Sequence, residues 1–346
     1  MNVFSADAFS AVSLTKAADL MGFVPGLLGS IPGLFENVGI RTTDVWIERR
    51  GYGPALIQTT PRGAPPAQKG GDKRDARSYR TVRLALASRI YAEELQNIRA
   101  YGTELDLKDM QMEVARRMMK LTSDHDLTEE NLRLGCVQGV VKDADGSTIV
   151  DWTAEFATVP SGARAMSMPT EVAFNFAAGT LGSVRTNCNA VVRTILRNLQ
   201  GMGGGAARVV GLADDTFFDA LVTHPEVRAT FLNWSAAADL RSAVGEVFHP
   251  FTYAGIEFIN YRGTDDNSSV AVPTGKCKFF PRNAGIFQIA RAPAEKFEFV
   301  NTLGQARYSW TTRDVHRDMW ADIEMLTYPL PVCVLPQALV SGRLGS

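Results

Sequence analysis

The chain has 346 residues, of which 45% are apolar, with 36 Lys and Arg against 37 Asp and Glu. This composition excludes global disorder, and a formal charge of -1 excludes a strong overall field for nucleic acid or an anionic membrane. The length suits one large domain or a few smaller ones. Cys136, Cys188, Cys277 and Cys333 lie far apart, with no C-x-x-C or Cys/His cluster, which speaks against zinc and a disulfide scaffold and fits a reducing compartment.

The N-terminal segment opens with a short amphipathic run, Ala8 to Leu20, and continues as "LMGFVPGLLGSIPGLF", Leu20 to Phe35. Glycines and prolines interrupt that apolar stretch, and it is shorter than the roughly 20 residues a membrane helix needs. No basic run closely precedes it, so the expectation is neither a membrane span nor a signal peptide. It reads as an extended apolar arm that lies on a surface, either its own domain or another.

"DVWIERRG" (Asp44 to Gly51), "ALIQTT" (Ala55 to Thr60) and "YRTVRLAL" (Tyr79 to Leu86) read as strands, partly alternating. Between them lies "TTPRGAPPAQKGGDKRDARSYR", Thr59 to Arg80, an unusually long hairpin tip, since hairpin loops have about 2 to 5 residues. Half of the hairpin, about 20 residues, spans at most roughly 65 Å when extended. A compact domain of this length has a radius of gyration of about 20 Å, so even a half-extended hairpin projects from it. From Pro61 to Arg80 there are six basic residues and two acidic ones, a net of +4. A basic projecting hairpin on a near-neutral protein calls for a specific acidic docking surface.

Residues 87 to 101 read as helix. Thr103 to Leu134 contains no Gly or Pro and carries Leu107, Met110, Val114, Met118, Leu121 and Leu132 on one helical face, interrupted by His125 and Thr128. One long helix, or two meeting near Ser123, is expected, with a methionine-rich and adaptable packing face. "VVKDADGSTIVDW" is a hairpin with an Asp145-Gly146 turn. "SVRTNCNAVVRTILRNLQ" (Ser183 to Gln200) is an amphipathic helix ended by glycine. "ARVVGL" is a strand, and "DDTFFDALVTHPEVRATFLN" gives one or two helices capped near Asp214 or Asp215. The remainder is strand-rich, in "IEFINYRG", "KCKFFP", "AGIFQIAR", "DIEMLTY" and "PVCVL".

Signatures of chemistry are absent. "GMGGGA" (Gly201 to Ala206) matches G-x-G-x-x-A, but it follows a helix and precedes a strand. A phosphate there would meet a helix C-terminus, the wrong end of the dipole, so a flexible connection is the reading. No P-loop, H-E-x-x-H or nucleophile elbow occurs. "KDADG" lacks the ligands of a calcium loop and reads as a turn. Asp124, His125 and Asp126 point about 100° apart on a helix and read as solvated or interface residues, and Glu129/Glu130 as a solvated or N-terminal helix face. His224 and His249 read as structural, and "NWS" and "NSS" as chance sequon matches. No catalytic residue, cofactor site or metal site is assigned.

The order of pieces resembles the major capsid protein fold of tailed phages. "FTYAGIEFINYRG", "KCKFFPRNAGIFQIARAPAEKFEFVN" and "ARYSWTTRDVHRDMWADIEMLTYPLPVCVLPQALVSGRL" resemble the capsid protein E family of lambda-like phages. The resemblance implies an α+β fold, with an N-terminal arm at 1–40 and an extended β-hairpin loop at 41–86 lying across a neighbouring subunit. A peripheral domain with a long spine helix and β-hairpin follows at 87–180, then a mixed α/β axial domain at 181–300. C-terminal strands, 301–346, return to the peripheral domain. It implies a structural protein, not an enzyme, that self-assembles from pentamers and hexamers into an icosahedral head around double-stranded DNA, with no sequence-specific binding, no cofactor and no membrane. Scaffolding, portal and decoration proteins are the implied partners, and the virion, assembled in the host bacterial cytoplasm, is the implied location.

Inter-subunit contact candidates are Arg62, Lys69, Lys73, Arg74, Arg77 and Arg80 in the hairpin and Phe23, Leu27, Leu28 and Phe35 in the arm. Lys69 and Lys73 lie where some capsids of this fold crosslink, but no matching asparagine and acid is identified and no crosslink is expected. Near-neutral charge suits a container for DNA. The competing readings are a non-viral shell of the same fold around an enzyme cargo, a soluble enzyme using Gly201 to Asp215, and a nucleic-acid-binding module using the basic hairpin.

Overall fold

The computed structural model describes residues 26–50, 74–96, 106–157, 168–176, 182–199, 201–203, 207–232, 250–263 and 270–345. Ala8 to Leu20, the strand expected at Ala55 to Thr60, and His249 lie outside these residues.

The described chain begins with a helical turn, α1 (Leu27–Ser30), and a short strand, β1 (Glu36–Gly39). Strands β2 (Asp44–Arg50) and β3 (Arg74–Arg80) pair antiparallel over their whole length, from Asp44 opposite Arg80 to Arg50 opposite Arg74. After a break at 81–83 comes β4 (Leu84–Tyr91), and then α2 (Ala92–Gln96). The helix expected from residue 87 therefore starts at 92. Residues 87–91 are strand because β4 pairs along its length with β14 (Trp320–Thr327), an interaction more than 200 residues away that overrides local helix propensity.

The long run without Gly or Pro forms one helix, α3 (Asp106–Gln138), unbroken at Ser123. Gly139 stops it with φ at 92°, and its N–H returns to the Cys136 carbonyl at 3.1 Å. Strands β5 (Val140–Lys142) and β6 (Thr148–Asp151) form the expected hairpin, with Gly146 at φ 85° in its turn. Asp151 then caps α4 (Trp152–Glu155), accepting from the N–H groups of Thr153 and Ala154 at 2.9 and 3.0 Å.

A six-stranded mixed sheet forms the largest layer. It is built from β7 (Val172–Phe174), β8 (Arg208–Ala213), β9 (Phe251–Tyr253), β10 (Ile256–Asn260), β11 (Lys276–Arg282) and β16 (Val340–Leu344), in the order β7-β16-β11-β8-β10-β9. Helix α5 (Ser183–Asn198) buries Val184, Cys188, Val191 and Ile195. Helices α6 (Asp215–Thr223, capped by Asp214) and α7 (Pro225–Leu232) follow β8. An aromatic network of Phe174, Phe217, Phe258 and Phe279 fills this core.

Two three-stranded sheets complete the molecule. One has the order β1-β12-β15, with β12 (Phe287–Arg291) and β15 (Pro329–Cys333). The other has the order β13-β14-β4, with β13 (Tyr308–Arg313). The C-terminal strands are thus divided, with β13 and β14 beside β4 and β16 inside the six-stranded sheet. No described helix is long and apolar enough to cross a membrane.

Candidate assembly surfaces

Two features decide what this molecule offers to other copies: how the N-terminal segment is tied down, and how the hairpin is held at its root. The first depends on α3. Val114, Met118, Leu121, His125, Glu129 and Leu132 follow one another at three- and four-residue steps and are all buried. His125 and Glu129 therefore occupy the apolar stripe. This corrects the reading of His125 as a solvated or interface residue and of Glu129 and Glu130 as a solvated or N-terminal helix face. The signal was present in the spacing of His125 and Glu129, which continue the stripe, but residue type outweighed it; Glu130 is buried on another side of the helix, against Leu28 and Tyr261.

The buried carboxylates are hydrogen-bonded in detail, while His125 Nδ1 is buried without a partner among the described residues. Arg291 meets Glu129 in two parallel hydrogen bonds, 2.7 and 2.8 Å, and Arg133 adds a third to Glu129 at 2.9 Å. Glu130 accepts from the backbone N–H groups of Leu28 at 2.7 Å and Gly29 at 3.3 Å, and from the Tyr261 hydroxyl at 3.4 Å. Burial nevertheless pushes the Glu130 carboxyl above its ordinary pKa of 4.5, outweighing those donors. His125 donates Nε2–H to the Met325 carbonyl at 3.0 Å, and burial lowers its pKa from 6.5. Residues 26–40 are thereby fastened to their own subunit. Leu28 is 1% exposed, Phe35 packs on Phe287 at 5.3 Å, and β1 runs parallel to β12.

The hairpin root rests on α4. Arg77 donates to the Glu155 carbonyl at 2.7 Å and to its carboxylate at 2.8 Å, and the Tyr79 hydroxyl reaches the same carboxylate at 3.1 Å. The Tyr79 ring lies edge-on to Trp152 at 4.9 Å, and Trp152 stacks on Phe156 at 5.9 Å. Ile47 and Val45, opposite Arg77 and Tyr79, share this inner face. The outer face carries Trp46, which is 69% exposed. Between the root and the β1-β12-β15 sheet opens a cleft of about 200 Å³, lined largely by Val38, Ile40, Trp46, Ala290, Val332 and Val334. A second apolar patch lies beside it. The Gly304 N–H bonds the Ile40 carbonyl at 2.9 Å, and Leu303, Phe297 and Val300 nearby are 57%, 100% and 60% exposed. An exposed apolar cleft and patch are what a partner protein covers.

Of the residues singled out from sequence, Phe23, Arg62, Lys69 and Lys73 lie outside the described residues. Arg74 begins β3. Arg77 is engaged with Glu155, and Arg80 is exposed on the outer face with Trp46. Leu27 packs half-buried against the main core. Among the described residues, the structure does not bring the hairpin and arm candidates into one cluster. Trp46 and the Phe297 loop were not singled out, because an isolated exposed aromatic has no sequence pattern. In the glycine run, Gly201 and Gly203 take positive φ at the C-terminal end of α5, where a helix dipole repels phosphate.

Comparisons with known proteins converge. The family model for phage major capsid protein E matches residues 10–344. The major capsid protein of Salmonella phage Felix O1 is 24% identical, with 94% of this chain and 95% of that one covered. The major capsid protein of Pseudomonas phage KPP10 is 25% identical, with 92% and 93% covered. Among solved structures, the mature capsid of bacteriophage PhiM1 is similar with a TM-score of 0.56 at 11% identity, covering 94% of this chain and 89% of that one. The capsid of cyanophage A-1(L) is similar at 0.53 and 13%, with 93% of each covered. The capsid of a native GTA particle follows at 0.52 and 13%, with 94% and 93% covered. With the family model spanning nearly the whole chain and the fold shared with capsid subunits, this protein belongs to the phage major capsid protein E family, whose members are structural proteins and not enzymes.

Proposed function

We propose that this major capsid protein closes, through heterologous contacts between identical copies, into an icosahedral head of pentamers and hexamers around double-stranded DNA. The observation that carries the reading is the family match over residues 10–344. The exposed Trp46 cleft at the root of the hairpin supports it. In this reading residues 1–40 are the arm and 41–86 the loop that crosses a neighbour. Residues 87–180 form the peripheral domain around α3, residues 181–300 the axial domain, and residues 301–346 the returning strands. The basic tip, with Arg62, Lys69, Lys73 and Arg74, sets register and partner choice on an acidic surface. Phe23 and the cleft contribute apolar contact. Scaffolding, portal and decoration proteins act on the same shell, and assembly occurs in the host cytoplasm.

The test is expression of the full chain, size-exclusion chromatography and negative-stain microscopy, beside a deletion of Pro61 to Arg77. Shells or capsomer rings from the intact chain, lost or misassembled in the deletion, are expected. A monomer that never assembles, even with phage scaffolding supplied, overturns the reading.

A further inference from the structure

From Val172 to Ala213 the chain runs for 42 residues without an Asp or Glu, its longest such run, while carrying arginines at 185, 193, 197 and 208. The rest of the chain holds all 37 acids. The helix of this acid-free run is α5. Its buried side is Val184, Cys188, Val191 and Ile195, and Arg185, Arg193 and Arg197 are exposed on the other side. At about 100° per residue the three arginines fall within about 120° of one another. Arg193 lies about 12 Å along the axis from Arg185 and about 6 Å from Arg197.

Four neutral polar side chains of this helix are already committed within the subunit. Thr186 and Thr194 donate to the Gly182 and Ala190 carbonyls, both at 2.8 Å. Asn187 donates to the Ala173 carbonyl at 3.2 Å and Asn198 to the Gln337 carbonyl at 2.6 Å. Glu226 occupies the helix N-terminus, accepting from Val184 and Arg185 N–H at 3.2 and 3.1 Å. The arginine side chains are the charged groups left over. Among the described residues none of the three forms an ion pair with a carboxylate.

We infer that the exposed arginine face of α5 is a phosphate-backbone contact surface for double-stranded DNA. This rests on the capsid reading, which supplies the polyanion. Each duplex strand presents a charge every 3.4 Å or so of axis, so arginines about 6 and 12 Å apart meet phosphates two and four steps apart. Guanidinium groups pair with phosphate in a bidentate fashion. Contacts of this kind run to the phosphate backbone and not to base edges, so they position DNA without selecting sequence. A few such contacts per subunit are individually weak and gain strength from the many copies in a shell. A near-neutral chain with one local basic face holds DNA without the tight binding that a basic lining would impose.

The experiment uses the full chain with a short fluorescein-labelled duplex, in two unrelated sequences, followed by anisotropy across about 50 to 200 mM salt. Arg185→Gln/Arg193→Gln/Arg197→Gln is compared with Lys69→Gln/Lys73→Gln in the hairpin, and circular dichroism and electron microscopy monitor fold and shells. Expected are equal affinities for the two sequences, a loss of about tenfold or more in the α5 variant, and a salt slope shallower by about 0.9 per arginine removed, with the hairpin variant near wild type. No binding by the wild type, or a loss confined to the hairpin variant, overturns the inference. So does tighter binding of a labelled glutamate-rich peptide that Leu196→Gln abolishes, since Leu196 shares this face and is 46% exposed. An α5 variant that assembles and binds DNA as wild type removes this surface and leaves the capsid reading standing. A chain that never assembles removes that reading instead.

Discussion

Arg291 and Glu129, 162 residues apart in sequence, meet in a two-pronged ion pair with side chains 5% and 4% exposed. The pair joins the spine of α3 to β12, against which β1 lies. Removing one partner strands a buried charge. Glu129→Gln and Arg291→Met should each lower the unfolding free energy by about 3 to 5 kcal/mol. The double variant Glu129→Leu/Arg291→Met should recover most of that loss. Urea unfolding decides it, and a double variant as unstable as the singles contradicts the account.

Two buried groups on α3 predict opposite pH responses. His125 titrates below its ordinary 6.5, chiefly through burial with Arg307 adding to the effect, while the Met325 carbonyl, Glu129 and Asp124 oppose it. As pH falls below 6.5, the unfolded chain takes up a proton that the folded chain refuses, so stability falls. His125→Gln, which can still donate to Met325, should flatten that fall. Glu130 titrates above 4.5, so the wild type is most favoured over Glu130→Gln below 4.5 and loses that advantage as pH rises through the folded value. Denaturation midpoints across this range read both, and parallel curves for wild type and variants would refute them.

The hairpin root separates packing from charge. Arg77 and Glu155 are each 42% exposed, so Arg77→Ala should cost at most about 1 kcal/mol. Tyr79→Ala also loses the edge-on contact to Trp152, adding about 0.5 to 1.5 kcal/mol beyond its buried area. Hydrogen exchange of the β2 and β3 amides should rise more in the tyrosine variant. The reverse order would mean that the ion pair holds the hairpin.

Trp46 is exposed in the lone subunit, so its value lies in assembly. Trp46→Asp should leave the unfolding free energy within about 0.5 kcal/mol of wild type and reduce the assembled fraction seen by size exclusion. Trp46→Phe should retain most assembly. Wild-type shell yield from Trp46→Asp would exclude the cleft as a subunit contact.

All four cysteines are free and buried. Burial raises Cys136 and Cys277 well above 9.0 and pushes Cys188 up to about 12. A thiol reagent at about pH 8 should leave the native protein unlabelled and modify it once denatured. Rapid native labelling would show that the core opens on that timescale.

Sequence by itself determined the elements whose cause is local. The absence of Gly and Pro and the three-to-four spacing specify α3. The Asp145-Gly146 pair specifies the β5-β6 turn, Asp214 caps α6, and alternating strands around a long basic tip specify the hairpin. Only the tertiary structure decided the rest, because the deciding interactions join distant residues. Residues 87–91 became strand when β14 arrived beside them. Glu129 could enter the apolar stripe because Arg291 meets it there, and Glu130 could be buried beside it because Leu28 and Gly29 present their amides. Arg77, which sequence offered to a neighbour, found Glu155 in its own chain, while Trp46 was left facing outward. A charge or an aromatic ring carries no label of its surroundings; the fold assigns each one a partner or leaves it for another copy.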